Sequence, residues 1–285
     1  MKKIYTLLKN IKFLLKNDIT DTLFIENLIE EKIIEYNETK PIQVLDVYQS
    51  LDYLMKNSVS FARFGDGEFT LIEGKDIEFQ KASKELRNRL IEVLSSNNDK
   101  IQIGIPSVLF SSKSRLLDNP KIFWKRNGKK FRDIILSFSC QRKVYLASET
   151  TIATNVYKDI DAKEFYNCFS RLWINRDIVV ICGRTIFNEI TFNIFDSAKS
   201  IEYIYAPSIN AFESYDSILK KSLEVEKEKL IIIILGPTAK VLAYDLTNKG
   251  YQALDLGHIA KSYDWYCKGK TTINLEDGID FFKAD

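Results

Sequence analysis

Histidine occurs once in this sequence, as His258, and cysteine four times, as Cys140, Cys168, Cys182 and Cys267, with no C-x-x-C pair among them. Such sparse, scattered thiols exclude a zinc-ribbon site and a disulfide framework, and a reducing cytosol fits them. Charge of one sign is also missing: 41 lysine and arginine residues face 39 aspartates and glutamates. The chain therefore lacks the broad positive field that nucleic-acid binding needs, and any charge-driven function must be local. No apolar run is long enough to span a bilayer, and no small-residue cleavage site follows the first residues, so secretion is not expected. No repeat, proline-rich linker or low-complexity tract marks a domain boundary, so the sequence reads as one domain with an N-terminal helical extension over residues 1–57 and the domain proper over 58–285.

What the chain does have begins with a helical stripe. Ile4, Leu7, Leu8, Ile11, Leu14 and Leu15 recur at helical spacing, and Lys2, Lys3, Lys9, Lys12 and Lys16 fill the gaps. Two readings stand for residues 1–17. One is a helix lying on an anionic membrane at the inner face; the other is a helix packed on its own domain or on a second subunit of a homo-oligomer.

Downstream, apolar runs rich in β-branched residues recur at 60–64, 101–105, 144–147, 178–182, 201–205, 230–235 and 253–256. Their continuous apolar character predicts buried strands. Helix-period segments lie between them, notably 84–94, 131–138, 214–226 and 238–248, the last followed by Gly250 in a C-cap region. Strands alternating with helices predict an α/β fold with a mostly parallel sheet flanked by helices. Ligands of such sheets bind beyond the carboxyl ends of the strands, where the strand order reverses.

Three loops follow strands there. In SVSFARFGDGEFTLIEG, residues 58–74, Asp66 and Glu68 lie between glycines. If the segment from Arg63 to Glu68 is extended, both carboxylates project to one side, as suits Mn2+ or Mg2+, while Gly65 and Gly67 allow close approach of a ligand. The same spacing also fits an ordinary Asp-Gly turn. In LGPTAKVLAYDL an apolar strand ends at Gly236, turns through Pro237 and opens a helix at Thr238, a natural phosphate site or simply a capped turn. It matches neither the dinucleotide fingerprint nor a P-loop. In ALDLGHIAKSYDW, Asp255, His258 and Asp264 fall within a few residues, and a histidine there can act as base, metal ligand or phosphate donor, or merely hold a hydrogen bond.

Taken in order, ARFGDGEF, PSINAFESYDSIL, LGPTAKVLAYDL and ALDLGHIAKSYDW resemble the bacterial GT-D-type glycosyltransferases, first described as domain of unknown function 1792. The resemblance spans 58–266. It implies a Rossmann-like fold, a UDP-sugar donor of glucose type, a divalent cation held by an Asp-x-Glu motif, and a glycan or glycoprotein acceptor in bacterial surface glycan synthesis. Carried over, the motif falls on Asp66 and Glu68 with Arg63 before it, the Gly-Pro-Thr turn on Gly236, Pro237 and Thr238, and the Asp-x-Gly-His element on Asp255 to His258. His258 or Asp264 is then the candidate base. Where the family places acidic residues after the histidine, Ala260, Lys261 and Ser262 stand here, so acceptor choice or the identity of the base differs accordingly. A metal-dependent nucleotide hydrolase or phosphotransferase would use the same carboxylates, and a non-catalytic nucleotide-sugar-binding protein would keep only the helix-start pocket.

Overall fold

The computed structural model describes residues 42–140 and 143–270. The lysine-rich stripe of residues 1–17, with its membrane and subunit readings, lies outside the described residues. Residues 42–56, counted above with the extension, pack on the sheet edge: Val44 bridges in parallel to Tyr145, and α1 (Val47–Lys56) follows. Asp46 and Gln49 form a capping box that starts this helix, Leu51 and Leu54 are buried beneath it, and Ser50 Oγ accepts the Ala147 N–H at 2.8 Å.

Seven strands form one sheet: β1 (Ser60–Arg63), β2 (Ile101–Ile105), β3 (Leu146–Ala147), β4 (Asp177–Gly183), β5 (Ser200–Ala206), β6 (Leu230–Ile234) and β7 (Ala253–Asp255). Their spatial order is β3-β2-β1-β7-β6-β4-β5, and every pairing is parallel. The central strands are apolar on both faces because helices cover both sides; all five residues of β6, Leu-Ile-Ile-Ile-Ile, are buried. Each such side chain contributes roughly 1.5–3 kcal/mol when fully buried. Only β5, at the edge, alternates between exposed and half-buried positions.

The helices that complete the layers are α2 (Asp66–Ile72), α3 (Lys84–Leu94), α4 (Asp118–Phe138), α5 (Ala153–Val156), α6 (Ala162–Ser170), α7 (Tyr215–Ser222), α8 (Thr238–Asn248) and α9 (Ile259–Cys267). Most sequence-predicted elements are present, with α4 longer than the expected 131–138 and α7 shorter than 214–226. One expectation is corrected. Residues 63–68 are not extended throughout: β1 stops at Arg63 and α2 starts at Asp66, because Glu68 reaches back to the Gly65 N–H at 2.7 Å and closes the first helical turn. Asp66 and Glu68 thus project about 200° apart around a helix rather than to one side of a strand.

From β1 the chain runs outward through β2 to β3, then crosses to the other half of the sheet and returns through β6 to β7 beside β1. The order therefore reverses between β1 and β7, and their carboxyl ends mark the crevice where such sheets bind ligands.

Candidate active site

A cleft of about 680 Å³ opens at that crevice, within the size range of small-molecule sites. The loop after β1 supplies Arg63, Gly65, Asp66, Gly67 and Glu68, the loop after β6 supplies Gly236, and the turn after β7 supplies His258. Apolar and aromatic walls come from Phe79, Val108, Phe123, Trp124, Ile186 and Trp265. The loops that sequence reasoning singled out separately therefore share one cavity.

Arg63 ties the end of β1 to the ends of β7 and β3. Its backbone N–H and its guanidinium bind Asp255, the N–H giving 3.0 Å to Oδ2 and Nε giving 3.1 Å to the carbonyl, while Nη1 donates to the Ser148 carbonyl at 3.0 Å. The guanidinium packs against Gly257, whose φ is +45° and whose missing side chain leaves the room: a Cβ there would fall 1.7 Å from Nη2. Asp255 is fully buried behind Arg63 and is not on the cleft wall, so its carboxylate holds protein cations rather than facing a ligand.

Its second cation was not anticipated from sequence. Lys240, on the buried face of α8, forms ion pairs with Glu68 Oε1 at 3.0 Å and Asp255 Oδ2 at 3.2 Å and donates a hydrogen bond to the Gly236 carbonyl at 2.9 Å. The Glu68 carboxylate is therefore engaged at both oxygens, by Lys240 and by the Gly65 N–H. Asp66 is left facing the cleft. It is accessible to water yet enclosed by the cleft walls, and desolvation, reinforced by the charge of Glu68, raises its pKa above the ordinary carboxylate value against the pull of local N–H groups.

His258 stands at the N-cap of α9. Burial within the cleft, then the charges of Arg63, Lys261 and Lys240, pull its pKa down to about 3, so the imidazole is neutral at physiological pH. Asp264 is placed differently from a free base. Its Oδ1 accepts the N–H groups of Thr191 and Phe192 at 2.9 and 3.0 Å, and its Oδ2 accepts Lys268 at 2.6 Å. Desolvation pushes its pKa up, but these donors, Lys268 foremost, outweigh it and hold the pKa below the ordinary value. It anchors the loop after β4.

Pro237 and Thr238 are buried and do not line the cleft; Phe79 packs over Gly236 instead, within 2.8 Å of where a Cβ would be. A carboxylate missed from sequence, Glu149, lines the wall after β3, accepting the Ser107 N–H at 3.2 Å, the Ser107 hydroxyl and the Tyr157 hydroxyl at 2.6 Å. Only its position directly after a strand, in ASET, marked it in the sequence.

Among the described residues no three His, Cys, Asp or Glu side chains form a ready metal cluster. A divalent cation still fits the donor set: Asp66 offers a hard oxygen ligand in the cleft, and Mg2+ or Mn2+ commonly takes one or two carboxylates and completes its shell with water and substrate phosphates. Charge balance points the same way. The five lysine and arginine side chains lining the cleft, Arg63, Lys240, Lys261, Lys268 and Lys270, are matched by five carboxylates, Asp66, Glu68, Glu149, Glu189 and Asp264. A diphosphate entering this balanced cleft would bring uncompensated negative charge.

Comparison with known proteins agrees with this geometry. The family described as "Glycosyltransferase GT-D fold" matches residues 61–278. "Probable glycosyl transferase Gly" of Streptococcus gordonii is 35% identical over 246 residues, which is 85% of this chain and 35% of that protein. "Glycosyltransferase GlyD" of Streptococcus pneumoniae serotype 4 is 30% identical over 256 residues, 87% of this chain and 30% of that protein. The chain thus spans about a third of the length of these relatives. Among solved structures, one described as "The highly conserved domain of unknown function 1792 has a distinct glycosyltransferase fold" superposes with a TM-score of 0.79 at 35% identity, covering 86% of this chain and 87% of that one. "A New Glycosyltransferase (DUF1792) from Streptococcus sanguinis" gives 0.76 at 33% identity, covering 81% and 86%. With its sheet, its switch-point cleft and most of its length matched, the chain belongs to the GT-D-fold glycosyltransferase family.

Proposed function

We propose that this protein transfers a sugar from a nucleoside diphosphate sugar, a UDP-sugar of glucose type, to a hydroxyl of a glycan or glycoprotein acceptor in bacterial surface glycan synthesis, with Mn2+ or Mg2+ as cofactor. The observation that carries the reading is the convergence of the loops after β1, β6 and β7 on one charge-balanced cleft in which Asp66, at the start of α2, is an exposed carboxylate. In the reaction the acceptor oxygen bonds to the anomeric carbon, the bond from that carbon to the phosphate oxygen breaks, the nucleoside diphosphate leaves as an anion, and the hydroxyl proton passes to a base. A bound cation supplies stabilisation of the charge growing on the leaving diphosphate.

The protein's own groups do the rest. Asp66 would hold the cation, and Arg63 fixes the loops after β1, β3 and β7 relative to one another. The aromatic walls exclude water, which strengthens every charge interaction inside. His258 is the group suited to the proton or to a phosphate oxygen, since Asp264 is committed to the loop after β4. Burial first, and then the charges of Arg63, Lys261 and Lys240, suppress the proton affinity of His258, and the negative charge of a bound diphosphate would oppose the second of these, so the imidazole becomes a better base once donor is bound.

A screen of UDP-, GDP- and TDP-sugars for Mn2+-dependent thermal stabilisation and sugar release tests this. UDP-sugars are expected to respond only with the cation present, and Asp66→Asn to abolish turnover while folding normally. Equal stabilisation without any cation, or full activity in the Asp66→Asn protein, refutes the cation role; a response confined to GDP- or TDP-sugars refutes the donor.

A further inference from the structure

The acidic pair does not act as a pair. We propose that Lys240 is a positioning residue that withdraws Glu68 from the cation site and leaves Asp66 as the single carboxylate ligand. The inference rests on the cation reading above and concerns which side chains serve it.

Three observations carry it. First, the Lys240 ammonium is held by three oxygens, in ion pairs with Glu68 Oε1 and Asp255 Oδ2 and in a hydrogen bond to the Gly236 carbonyl. The second Glu68 oxygen takes the Gly65 N–H at 2.7 Å, so each oxygen of the carboxylate already has a protein partner. Second, the Lys240 and Glu68 side chains are only 4% and 9% exposed. Pulling Glu68 away would leave the Lys240 charge buried with one counter-charge fewer, a costly state. Third, the two acidic residues occupy the first and third positions of α2, and side chains two apart on a helix do not face each other. Lys240 thereby joins the start of α2 to the ends of β6 and β7, and it holds Asp66 at a fixed place relative to His258.

The test is Mn2+ binding to the full-length protein, followed by electron paramagnetic resonance with saturating UDP and with melting curves to confirm folding. Asp66→Asn is expected to weaken Mn2+ by more than about 100-fold, and Glu68→Gln, which keeps the cap on Gly65, by clearly less, at most the roughly 10–100-fold typical of a group outside the ligand shell. Lys240→Met frees Glu68 and is expected to bind Mn2+ at least as tightly as the wild type, with any gain erased in the Lys240→Met/Glu68→Gln protein. If Lys240→Met does not fold, the first two variants decide. Parallel losses in Asp66→Asn and Glu68→Gln overturn this inference alone. Failure of the wild type to bind Mn2+ with UDP overturns the cation reading and this inference with it.

Discussion

Replacing Gly257 by alanine strikes the joint that holds the cleft together, and its cost can be worked from the geometry. The new Cβ would lie 1.7 Å from Arg63 Nη2 and 2.9 Å from Cζ. Non-bonded carbon contacts settle at about 3.5–4 Å, so the guanidinium must retreat by about 2 Å. That exceeds the tolerance of its hydrogen bonds to the Asp255 and Ser148 carbonyls, now 3.1 and 3.0 Å long. A hydrogen bond from a charged group is worth about 1.5–3 kcal/mol, and holding alanine in the left-handed region adds about 1–2 kcal/mol, so a loss of roughly 3–5 kcal/mol follows if one of the bonds breaks.

Urea denaturation of the full chain at neutral pH measures this directly. A Gly257→Ala protein within about 1 kcal/mol of wild type would refute the clash, since the backbone strain alone is of that size. A double-mutant cycle separates the two causes. In an Arg63→Ala background the clash disappears, and Gly257→Ala is then expected to cost only the backbone strain. An undiminished cost there would show that the guanidinium is not what the alanine displaces. The substitution is also expected to weaken nucleotide binding, because Arg63 links the loops that line the cleft.

Two further outcomes follow from the titrating groups. An unfolded histidine titrates near 6.5 but His258 near 3 in the native protein, so between those values the unfolded chain binds the extra proton, and stability falls as pH drops from about 6.5, by up to about 1.4 kcal/mol per pH unit. His258→Gln should remove that share of the acid sensitivity in denaturation curves compared at pH 7.5 and 5; identical slopes in both proteins would show that the imidazole titrates normally. Asp264→Ala strips the acceptor from the Thr191 and Phe192 N–H groups, so amide exchange there should accelerate while that of β6 stays slow; unchanged protection at 191 and 192 would remove the anchoring role.

Much of this arrangement was legible beforehand for a physical reason. Strands buried on both faces must be apolar throughout, so runs such as Ile101–Ile105 and Leu230–Ile234 announce themselves. The helix at Asp66–Ile72 was hidden because Gly-Asp-Gly-Glu is rich in turn formers, and residues 63–68 read as extended. The signal that would have revealed it is Gly65 followed three residues later by Glu68, half of a capping box ahead of an apolar run. Lys240 left a fainter trace, a lone charge between Ala239 and Val241 in a helix buried on most sides. Its partners are Glu68 and Asp255, 172 residues and 15 residues away in sequence, and spacing carries no record of contacts closed only by the sheet. Asp264 misled for the complementary reason: its neighbour His258 suggested catalysis, while its two backbone donors, Thr191 and Phe192, lie in a loop more than 70 residues earlier.

The buried charges themselves argue for what the cleft needs. Arg63, Lys240, Glu68 and Asp255 form a quartet of two cations and two carboxylates at the switch point. Well-packed apolar side chains would often stabilise such a place equally well, so stability alone is a weak reason for four ions there. A rigid array of fixed charges does two things that apolar packing does not. It pins the ends of three strands to one another through directed bonds, and it sets the field in which the neighbouring groups titrate. Because the quartet is internally neutral, it does not by itself draw in an anion. Burial comes first for both neighbours, lowering the pKa of His258 and raising that of Asp66, and the quartet's cations add to the former and Glu68 to the latter. The two groups, His258 and Asp66, are thus both biased toward their neutral forms, and the quartet reinforces a bias that burial begins. On the proposed reading a divalent cation relieves the second of these and a diphosphate the first, so each ligand improves the site for the other, and nucleotide and metal are expected to bind cooperatively rather than independently.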